Sequence, residues 1–328
     1  MTSMMNFLRM ATALALAVVV VPVQAQVSFQ RPVRFVVTAA PGGLMDLLAR
    51  GLAQRLSPTW GQPVVVENRA GANNIIGSDV VAKAAPDGYT YLVTEGSTLT
   101  INPSLYKKLP YDPERDFTPI TGVAMTSNVI AVPGSLGVNS LQEFIARARA
   151  KPGALSFGST GAGSVAHIAS EHFARAAGIQ LTHAPYKGSS PLHLDLTAGY
   201  ISMYIGHISS AMTQLQNTGK LRFLATTQPT RLPQFPNLPT TAEAGVPGAE
   251  TNSWFGVLAP AKLPLAILAK VHADVVDIIR SQDFQAKLIA PNNLQTLAQS
   301  TPAAFRDFIA ADAARWKMMV QASGATLD

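Results

Sequence analysis

The chain has 328 residues, a formal net charge of +6 and no cysteine. Only 13% of its residues are charged, and no run of basic residues is longer than the pair Lys107-Lys108. Because nucleic-acid binding normally requires clustered basic residues, we expect no nucleic-acid partner. Without disulfides, stability has to come from hydrophobic cores, and a chain of this length can bury one or two of them.

The first residues have the pattern of a secretory signal peptide. Arg9 is the only charge before an apolar stretch at residues 10–21, and small residues follow up to Ala25. The apolar stretch is about 12 residues long, whereas a membrane-spanning helix needs roughly 20. The pattern therefore predicts a signal peptide over residues 1–25 and an exported mature protein.

The mature chain begins with a predicted strand, a tight glycine turn and a helix. An apolar run at residues 33–37 leads into Pro41-Gly42-Gly43, and leucines at helical spacing follow over residues 47–56. The N–H groups at the start of a helix have no intrahelical partner, and the helix dipole makes that end positive. The turn can therefore hold a carboxylate or a phosphate, although many such turns bind nothing. We interpret Asp46 as a carboxylate that stabilises the start of this helix rather than as a catalytic group.

Strands and helices alternate after this turn, which predicts a parallel sheet with crossover helices. The pattern places buried strands at residues 64–67 and 89–94, with a helix at residues 75–85 between them. Ligands of parallel sheets bind at the carboxyl ends of the strands. We therefore expect Gly96-Ser97-Thr98, which follows the third strand, to lie at the same edge as the first glycine turn. A longer strand is predicted from residue 123 to residue 132.

A second set of α/β elements follows. Its central feature is a strand at residues 155–157, a glycine-rich turn at residues 158–164 and a helix over residues 165–177. The chain after residue 260 is predicted to be helical and to pack on the first set. Further strands are expected at residues 181–183, 201–205, 221–227 and 254–260, and further helices at residues 141–150, 264–281, 284–289 and 302–323.

The repetition of a glycine turn at a helix start predicts two α/β lobes that hold a small anion between them. The alternative is that both turns serve only packing. The chain is expected to cross between the lobes twice, near residues 128–133 and 249–254, which suits a hinge. We predict that one lobe comprises residues 26–130 with 252–328, and that the other comprises residues 131–251.

Other chemistries fit the pattern less well. Gly161-Ala162-Gly163 begins a dinucleotide-binding motif, but the acidic residue expected about 20 positions later is absent. His167 and His172 are too far apart around a helix to share a metal ion. No G-x-S-x-G motif and no nucleophilic cysteine occurs. We therefore predict no cofactor, no metal site and no catalysis, while His167 is left with two alternatives, donating to a ligand or bonding a carbonyl group.

Several motifs, in order along nearly the whole mature chain, resemble one family. Together they resemble the Bug-type receptors, the periplasmic solute-binding components of tripartite tricarboxylate transporters. The motifs are residues 33–50 with Pro41-Gly42-Gly43 and Asp46, then residues 61–69, 85–90, 102–103 and 109–113, then Gly158-Ser159 with Gly161, Gly163, Ser164 and His167, then residues 185–188 and 253–256.

The resemblance implies an α/β protein with a two-lobed periplasmic-binding-protein fold, type II-like, in which each lobe is a sheet flanked by helices. It implies a periplasmic monomer that closes on a small organic acid or an amino-acid-like carboxylate and then docks to a membrane permease. Two alternatives remain open. One is a periplasmic sensor that feeds a signalling partner, and the other is an exported serine hydrolase that uses Ser159 or Ser164 with His167.

The resemblance also implies which residues bind the ligand. One lobe is expected to hold the carboxylate mainly through backbone groups, and the other is expected to contribute hydroxyl groups and a histidine. The residues implied are Ala40, Gly42, Gly43, Ser97 and Thr98 in the first lobe, and Ser159, Thr160, Gly163, Ser164, His167, Tyr186 and Gly206 in the second.

This chain departs from the family pattern at four positions. Leu44 and Met45 replace small or hydroxyl residues, and Gly206 replaces an acidic or amide residue. Glu95 stands where the family usually has a small residue. If Glu95 faces the cleft, it repels a second ligand carboxylate and favours a ligand with an amine or amide donor; if it faces solvent, it has no such effect.

Overall fold

The computed structural model describes residues 28–327, so the predicted signal peptide lies outside the described residues. No helix within residues 28–327 combines the length and hydrophobicity that a membrane span needs. The strands are β1 (Val33–Val37), β2 (Val64–Asn68), β3 (Thr90–Glu95), β4 (Phe117–Thr126), β5 (Asn128–Pro133), β6 (Ser156–Ser159), β7 (Thr182–Pro185), β8 (Met203–His207), β9 (Leu221–Thr226), β10 (Trp254–Pro260) and β11 (Leu294–Thr296). The α-helices are α1 (Leu44–Trp60), α2 (Ile75–Ala82), α3 (Ser97–Thr100), α4 (Asn102–Leu105), α5 (Leu141–Ala150), α6 (Val165–Ala177), α7 (Ser189–Ala198), α8 (Ser210–Asn217), α9 (Leu265–Arg280), α10 (Gln282–Phe284) and α11 (Pro302–Ser323).

The first sheet has six strands in the order β11-β4-β10-β3-β1-β2, and with its helices we call it lobe 1. Strand β1 lies between β2 and β3 and is parallel to both, because α1 and α2 are the crossover helices. Val37 pairs with Val93, so the first and third strands end side by side. This register confirms that the turns after them lie at one edge of the sheet.

Strand β2 lies at the edge of that sheet and is not a buried strand as predicted. Val64 is buried, but Val65 is 51% exposed. A run of three valines is typical of a central strand. The sequence does not reveal that β2 is the last strand of its sheet.

The second sheet has five strands in the order β7-β6-β8-β5-β9, and with its helices we call it lobe 2. Strand β6 is parallel to β7 and β8, whereas β5 is antiparallel to β8 and β9. The aromatic side chains of Phe144, Phe157 and Phe173 are fully buried between this sheet and its helices. Lobe 2 thus has a hydrophobic core of its own.

The prediction of one strand over residues 123–132 is wrong, because the chain leaves lobe 1 in the middle of that segment. Strand β4 belongs to the first sheet and β5 to the second, with only Ser127 between them. Both strands are almost entirely buried, so their apolar pattern is continuous across the crossing. The returning segment runs alongside, since the N–H of Thr126 donates to the carbonyl of Ser253 at 2.8 Å.

The C-terminal helix α11 packs against both lobes. Near its start, Phe305 contacts Trp254 of lobe 1, with ring centroids 5.3 Å apart. Near its end, Trp316 and Val320 join the hydrophobic core of lobe 2. The predicted lobe boundaries, residues 26–130 with 252–328 and residues 131–251, stay a prediction, since α11 belongs to neither sheet.

Candidate functional site

A cavity of about 460 Å³ lies between the two lobes. Its walls are rich in hydroxyl and amide side chains, and none of the residues that line it within the described range 28–327 is lysine or arginine. The lining residues are Leu44, Asn73, Asn74, Glu95, Ser97, Thr126, Ser253 and Phe255 from lobe 1, and Asn128, Thr160, Gly163, Ser164, Val165, Ala166, Ser189, His193, Tyr204, Ile205, Gly206, His207 and Ser209 from lobe 2.

The lobes contact each other beside this cavity. The amide of Asn73 in lobe 1 donates to the carbonyl of Ala162 in lobe 2 at 3.2 Å. Elsewhere, the amide of Asn293 donates to the carbonyl of Ile208, also at 3.2 Å. The described conformation is therefore a closed one in which both lobes form the walls of the cavity.

Three helices of lobe 2 begin at the cavity. The lining includes the N-cap residues of α6 and α8, Ser164 and Ser209, and the first residue of α7, Ser189. The N–H groups of Val165 and Ala166, the first two residues of α6, have no hydrogen-bond partner among the described residues. Converging helix starts make this wall positive without any basic side chain, which favours an anion.

The first glycine turn is arranged differently, because a carboxylate of the chain already occupies it. The N–H of Gly42 donates to Asp46 at 2.9 Å, and Asp46 also accepts hydrogen bonds from Arg50 at 2.9 Å and from Asn68 at 2.8 Å. Burial raises the pKa of Asp46, but the hydrogen bonds from Arg50, Gly42 and Asn68 outweigh it, so the net pKa is lowered. Asp46 thus lies in the first turn of α1 and accepts hydrogen bonds within the protein, as its interpretation as a stabilising carboxylate predicts.

The structure brings some of the predicted binding residues to the cavity and leaves others outside its lining. Those that line it are Ser97, Thr160, Gly163, Ser164 and Gly206. Those that do not are Ala40, Gly42, Gly43, Thr98, Ser159, His167 and Tyr186.

His167 and Ser159 support the second glycine turn from behind. The N–H of Gly163 donates to Nδ1 of His167 at 3.0 Å, so this nitrogen accepts rather than bonding a carbonyl as one alternative predicted. His167 stacks on His183 with ring centroids 4.0 Å apart, and Nε2 of His183 lies 2.6 Å from the hydroxyl of Ser159. Burial, together with the neighbouring His183, lowers the pKa of His167 to about 4. The imidazole is therefore neutral near pH 7.

Tyr186 and Thr98 are also engaged within the protein. The hydroxyl of Tyr186 donates to the carboxylate of Asp195 at 2.7 Å. The hydroxyl of Thr98 is buried and lies 2.6 Å from that of Thr94. Neither side chain reaches the cavity in this conformation.

Glu95 faces the cavity, which decides between the two alternatives that the sequence left open. The hydroxyl of Ser253 donates to one of its oxygens at 2.7 Å, and the hydroxyl of Ser97 donates to the other at 3.4 Å. Burial raises the pKa of Glu95, and the two hydroxyl groups offset this only in part. A carboxyl group at the end of β3 was the sequence signal for this position.

Sequence reasoning missed His193 and an asparagine pair in the walls, and it left open whether His207 faces the cleft. His193 and His207 line the cavity from lobe 2, and Asn73 and Asn74 line it from lobe 1. The clustering of five histidines between residues 167 and 207 was the available signal, but a cluster in sequence does not show which rings share a cavity. The polar loop before α2 gave no signal specific to a site.

Known proteins resemble this chain over nearly its whole length. The family model described as tripartite tricarboxylate transporter family receptor matches residues 48–325. The protein BugT of Bordetella pertussis is 35% identical over 315 residues, which cover 96% of this chain and 96% of BugT.

Two solved structures have the same fold. An R. palustris protein with adipate has a TM-score of 0.83 and 36% identity, covering 91% of this chain and 99% of that one. The periplasmic binding protein BugD has a TM-score of 0.79 and 30% identity, with the same coverage of 91% and 99%. These matches confirm the predicted two-lobed α/β fold of the periplasmic-binding-protein type. The chain therefore belongs to the receptor family of tripartite tricarboxylate transporters, the family whose Bug-type members its motifs resemble.

Proposed function

We propose that this protein captures a small carboxylate between its lobes in the periplasm and presents it to the membrane permease of a tripartite tricarboxylate-type transporter. The observation that carries the proposal is the start of α6, where Val165 and Ala166 line the cavity and their N–H groups have no partner among the described residues. Two adjacent N–H groups at a helix start fit the two oxygens of a carboxylate.

In this mechanism the carboxylate docks on lobe 2, and closure completes its surroundings. The amides at the start of α6 bind the carboxylate, with the hydroxyl of Thr160 beside them. Lobe 1 adds Ser97 and Asn74, which line the cavity in this conformation. Because a ligand shifts an equilibrium only through contacts that differ between the states, these lobe 1 contacts are what favour the closed form.

The chemistry of a relative supports the same ligand class. The R. palustris protein, 36% identical to this chain, was solved with adipate, a small dicarboxylate. The predicted signal peptide and the periplasmic relatives support an exported receptor, and the family supports a permease as its partner.

The side chains at the cavity support binding without catalysis. Ser159 lies 2.6 Å from Nε2 of His183, the kind of pair that a hydrolase uses, but Ser159 is fully buried and does not line the cavity. The hydroxyl of Ser164 accepts the N–H of His167 at 3.3 Å, so its place is that of a helix cap. Among the described residues that line the cavity, no serine hydroxyl is hydrogen-bonded to a histidine ring.

A thermal-shift screen against small carboxylates tests this function. We expect at least one carboxylate to raise the melting temperature by several degrees, because a ligand at 100 times its Kd adds about 2.7 kcal/mol to the free energy of unfolding. The same protein should leave a panel of esters and amides intact. Turnover of an ester that disappears in Ser159→Ala, with no carboxylate raising the melting temperature, would refute the receptor proposal.

A further inference from the structure

Among the described residues that line the cavity, Glu95 is the only aspartate, glutamate, lysine or arginine. No lysine or arginine of residues 28–327 shares that lining, so no basic side chain there neutralises it. The two cavity histidines do not supply a charge either. Burial lowers the pKa of His207 to about 4, and burial also lowers the pKa of His193.

The hydrogen bonds around Glu95 fit a carboxylate that accepts at both oxygens. The amide of Asn74 donates to the hydroxyl of Ser97 at 3.2 Å, so the hydroxyl proton of Ser97 points to Glu95. The hydroxyl of Ser253 donates to the other oxygen at 2.7 Å. These two hydroxyl groups orient the carboxyl group, but no cationic side chain of the described cavity lining pairs with it.

His207 provides a second, independent observation. Its Nδ1 is buried and has no partner among the described residues, although the ring lines the cavity. The backbone carbonyl groups of Asn292 and Ser127 lie beside the ring, and carbonyl oxygens can only accept hydrogen bonds. The single N–H of the neutral ring therefore donates to them. In the neutral ring Nδ1 is therefore an acceptor without a donor.

We propose that the ligand is a carboxylate that also carries a nitrogen donor, an ammonium or amide group, and that Glu95 selects for this donor. The inference rests on the proposed function, in which the start of α6 binds the carboxylate. The donor then completes the hydrogen bonding of Glu95. A plain dicarboxylate instead places its second carboxylate beside an acidic side chain that has no cationic partner in the described lining, so Glu95 acts against it.

Calorimetric titration with matched pairs of carboxylates tests this selectivity. The pairs are propionate and alanine, succinate and aspartate, glutarate and glutamate, and benzoate and anthranilate; glutaramate tests the amide. We expect the best nitrogen-bearing compound to bind at least tenfold more tightly than its partner without nitrogen. Glu95→Gln should reduce that ratio at least tenfold, and its melting temperature in the absence of ligand verifies folding.

A matched control separates the effect of Glu95 from a general loss of charge. Glu114→Gln makes the same chemical change at an exposed position outside the cavity lining and should leave the ratio unchanged. Tighter binding of the plain acids by the unaltered protein, with no change of ratio in Glu95→Gln, would overturn the inference and leave the receptor function intact. Binding of no compound in the panel would overturn both.

Discussion

The two glycine turns of this protein look alike in sequence but differ in what their N–H groups bind. Both follow a parallel strand and both begin a long helix. In lobe 1 the N–H of Gly42 donates to Asp46, a carboxylate of the chain itself. In lobe 2 the N–H of Gly163 donates to His167, and the next amides, those of Val165 and Ala166, have no partner among the described residues.

This difference shows why a glycine turn at a helix start does not by itself identify an anion site. A carboxylate in the first turn of the helix uses the same positive end that a ligand would use. The neutral His167 supports its turn while adding no negative charge, so the positive end of α6 stays available. The distinction lies in one residue near each helix start, Asp46 in one and His167 in the other.

The largest difference between the turns is expected in carboxylate affinity, when proline replaces the first helical residue after each turn and so removes its N–H. Ser164 (φ −66°, ψ 160°) and Gly43 (φ −76°, ψ 168°) are both extended, so each accepts a following proline without rearrangement. Val165→Pro should weaken carboxylate binding about ten- to a hundredfold, the cost of one charge-assisted hydrogen bond. Leu44→Pro should change affinity much less, as measured by calorimetry.

Alanine variants at the same positions are the controls for this pair. Val165→Ala and Leu44→Ala shorten the side chains but keep the N–H groups. The affinity of each proline variant is therefore compared with that of the alanine variant at the same position. Equal losses of affinity in Val165→Pro and Leu44→Pro would contradict the claim that only the turn of lobe 2 binds the carboxylate.

The next largest effect is expected on stability in lobe 1. Asp46→Ala removes a buried carboxylate that accepts hydrogen bonds from Gly42 and Asn68, which costs about 1–3 kcal/mol in the free energy of unfolding. Urea denaturation measures this loss, while the affinity for the carboxylate should stay within about twofold. Asp283→Ala, which removes an exposed carboxylate paired with Arg55, is the control and should cost less than about 1 kcal/mol.

A smaller effect on affinity is expected when the left-handed glycine of each turn is replaced by alanine. The pair of variants separates backbone strain from hindered closure of the lobes. Gly42 (φ +83°) and Gly163 (φ +77°) both have left-handed backbones, so alanine strains each by about 1 kcal/mol. A Cβ at Gly42 meets no atom within 4 Å, whereas one at Gly163 lies 2.2 Å from Leu105. Gly163→Ala should therefore reduce the affinity for the carboxylate several-fold more than Gly42→Ala does. Small-angle scattering with ligand should show the Gly163→Ala protein more open; equal closure in both variants would contradict this.

The smallest effect is expected on the dependence of stability on pH. His167 has a pKa of about 4 in the folded protein against 6.5 as the reference value, so between these values the unfolded chain binds more protons. The free energy of unfolding should therefore fall as the pH is lowered from 6.5 to 4. His167→Gln, which retains a hydrogen-bond acceptor, should make the melting temperature less dependent on pH in this window. An equally steep dependence in the variant would assign the effect to other groups.

Much of the fold could be predicted from the sequence because the signals are local. The apolar run before Pro41 and the capped helix after Ser164 define strand, turn and helix without reference to the rest of the chain. The first crossing was expected near residues 128–133 and lies at Ser127. Its position inside the predicted strand over residues 123–132 could not be predicted, because β4 and β5 are both buried and their apolar pattern continues through the change of lobe. The contact of α11 with both lobes likewise depends on tertiary packing.

The candidate site could be predicted only in part, for a related reason. The hydroxyl residues Ser97, Thr160 and Ser164 follow strands and were expected at the cleft, and they line the cavity. The orientation of Glu95 depends on Ser253, which is 158 residues later in the chain. Whether the amides of the first turn also bind ligand, as the family resemblance implies for Ala40, Gly42 and Gly43, stays a prediction.

A crystal structure with a bound carboxylate, such as the tightest binder of the calorimetric panel, tests the central claim most directly. The account predicts a carboxylate oxygen within about 3.2 Å of the amide nitrogen of Val165 or Ala166. In the same structure the N–H of Gly42 should still donate to Asp46. A carboxylate seated on the amides of Gly42 and Gly43, with Asp46 displaced and the start of α6 without contact to it, would contradict the account.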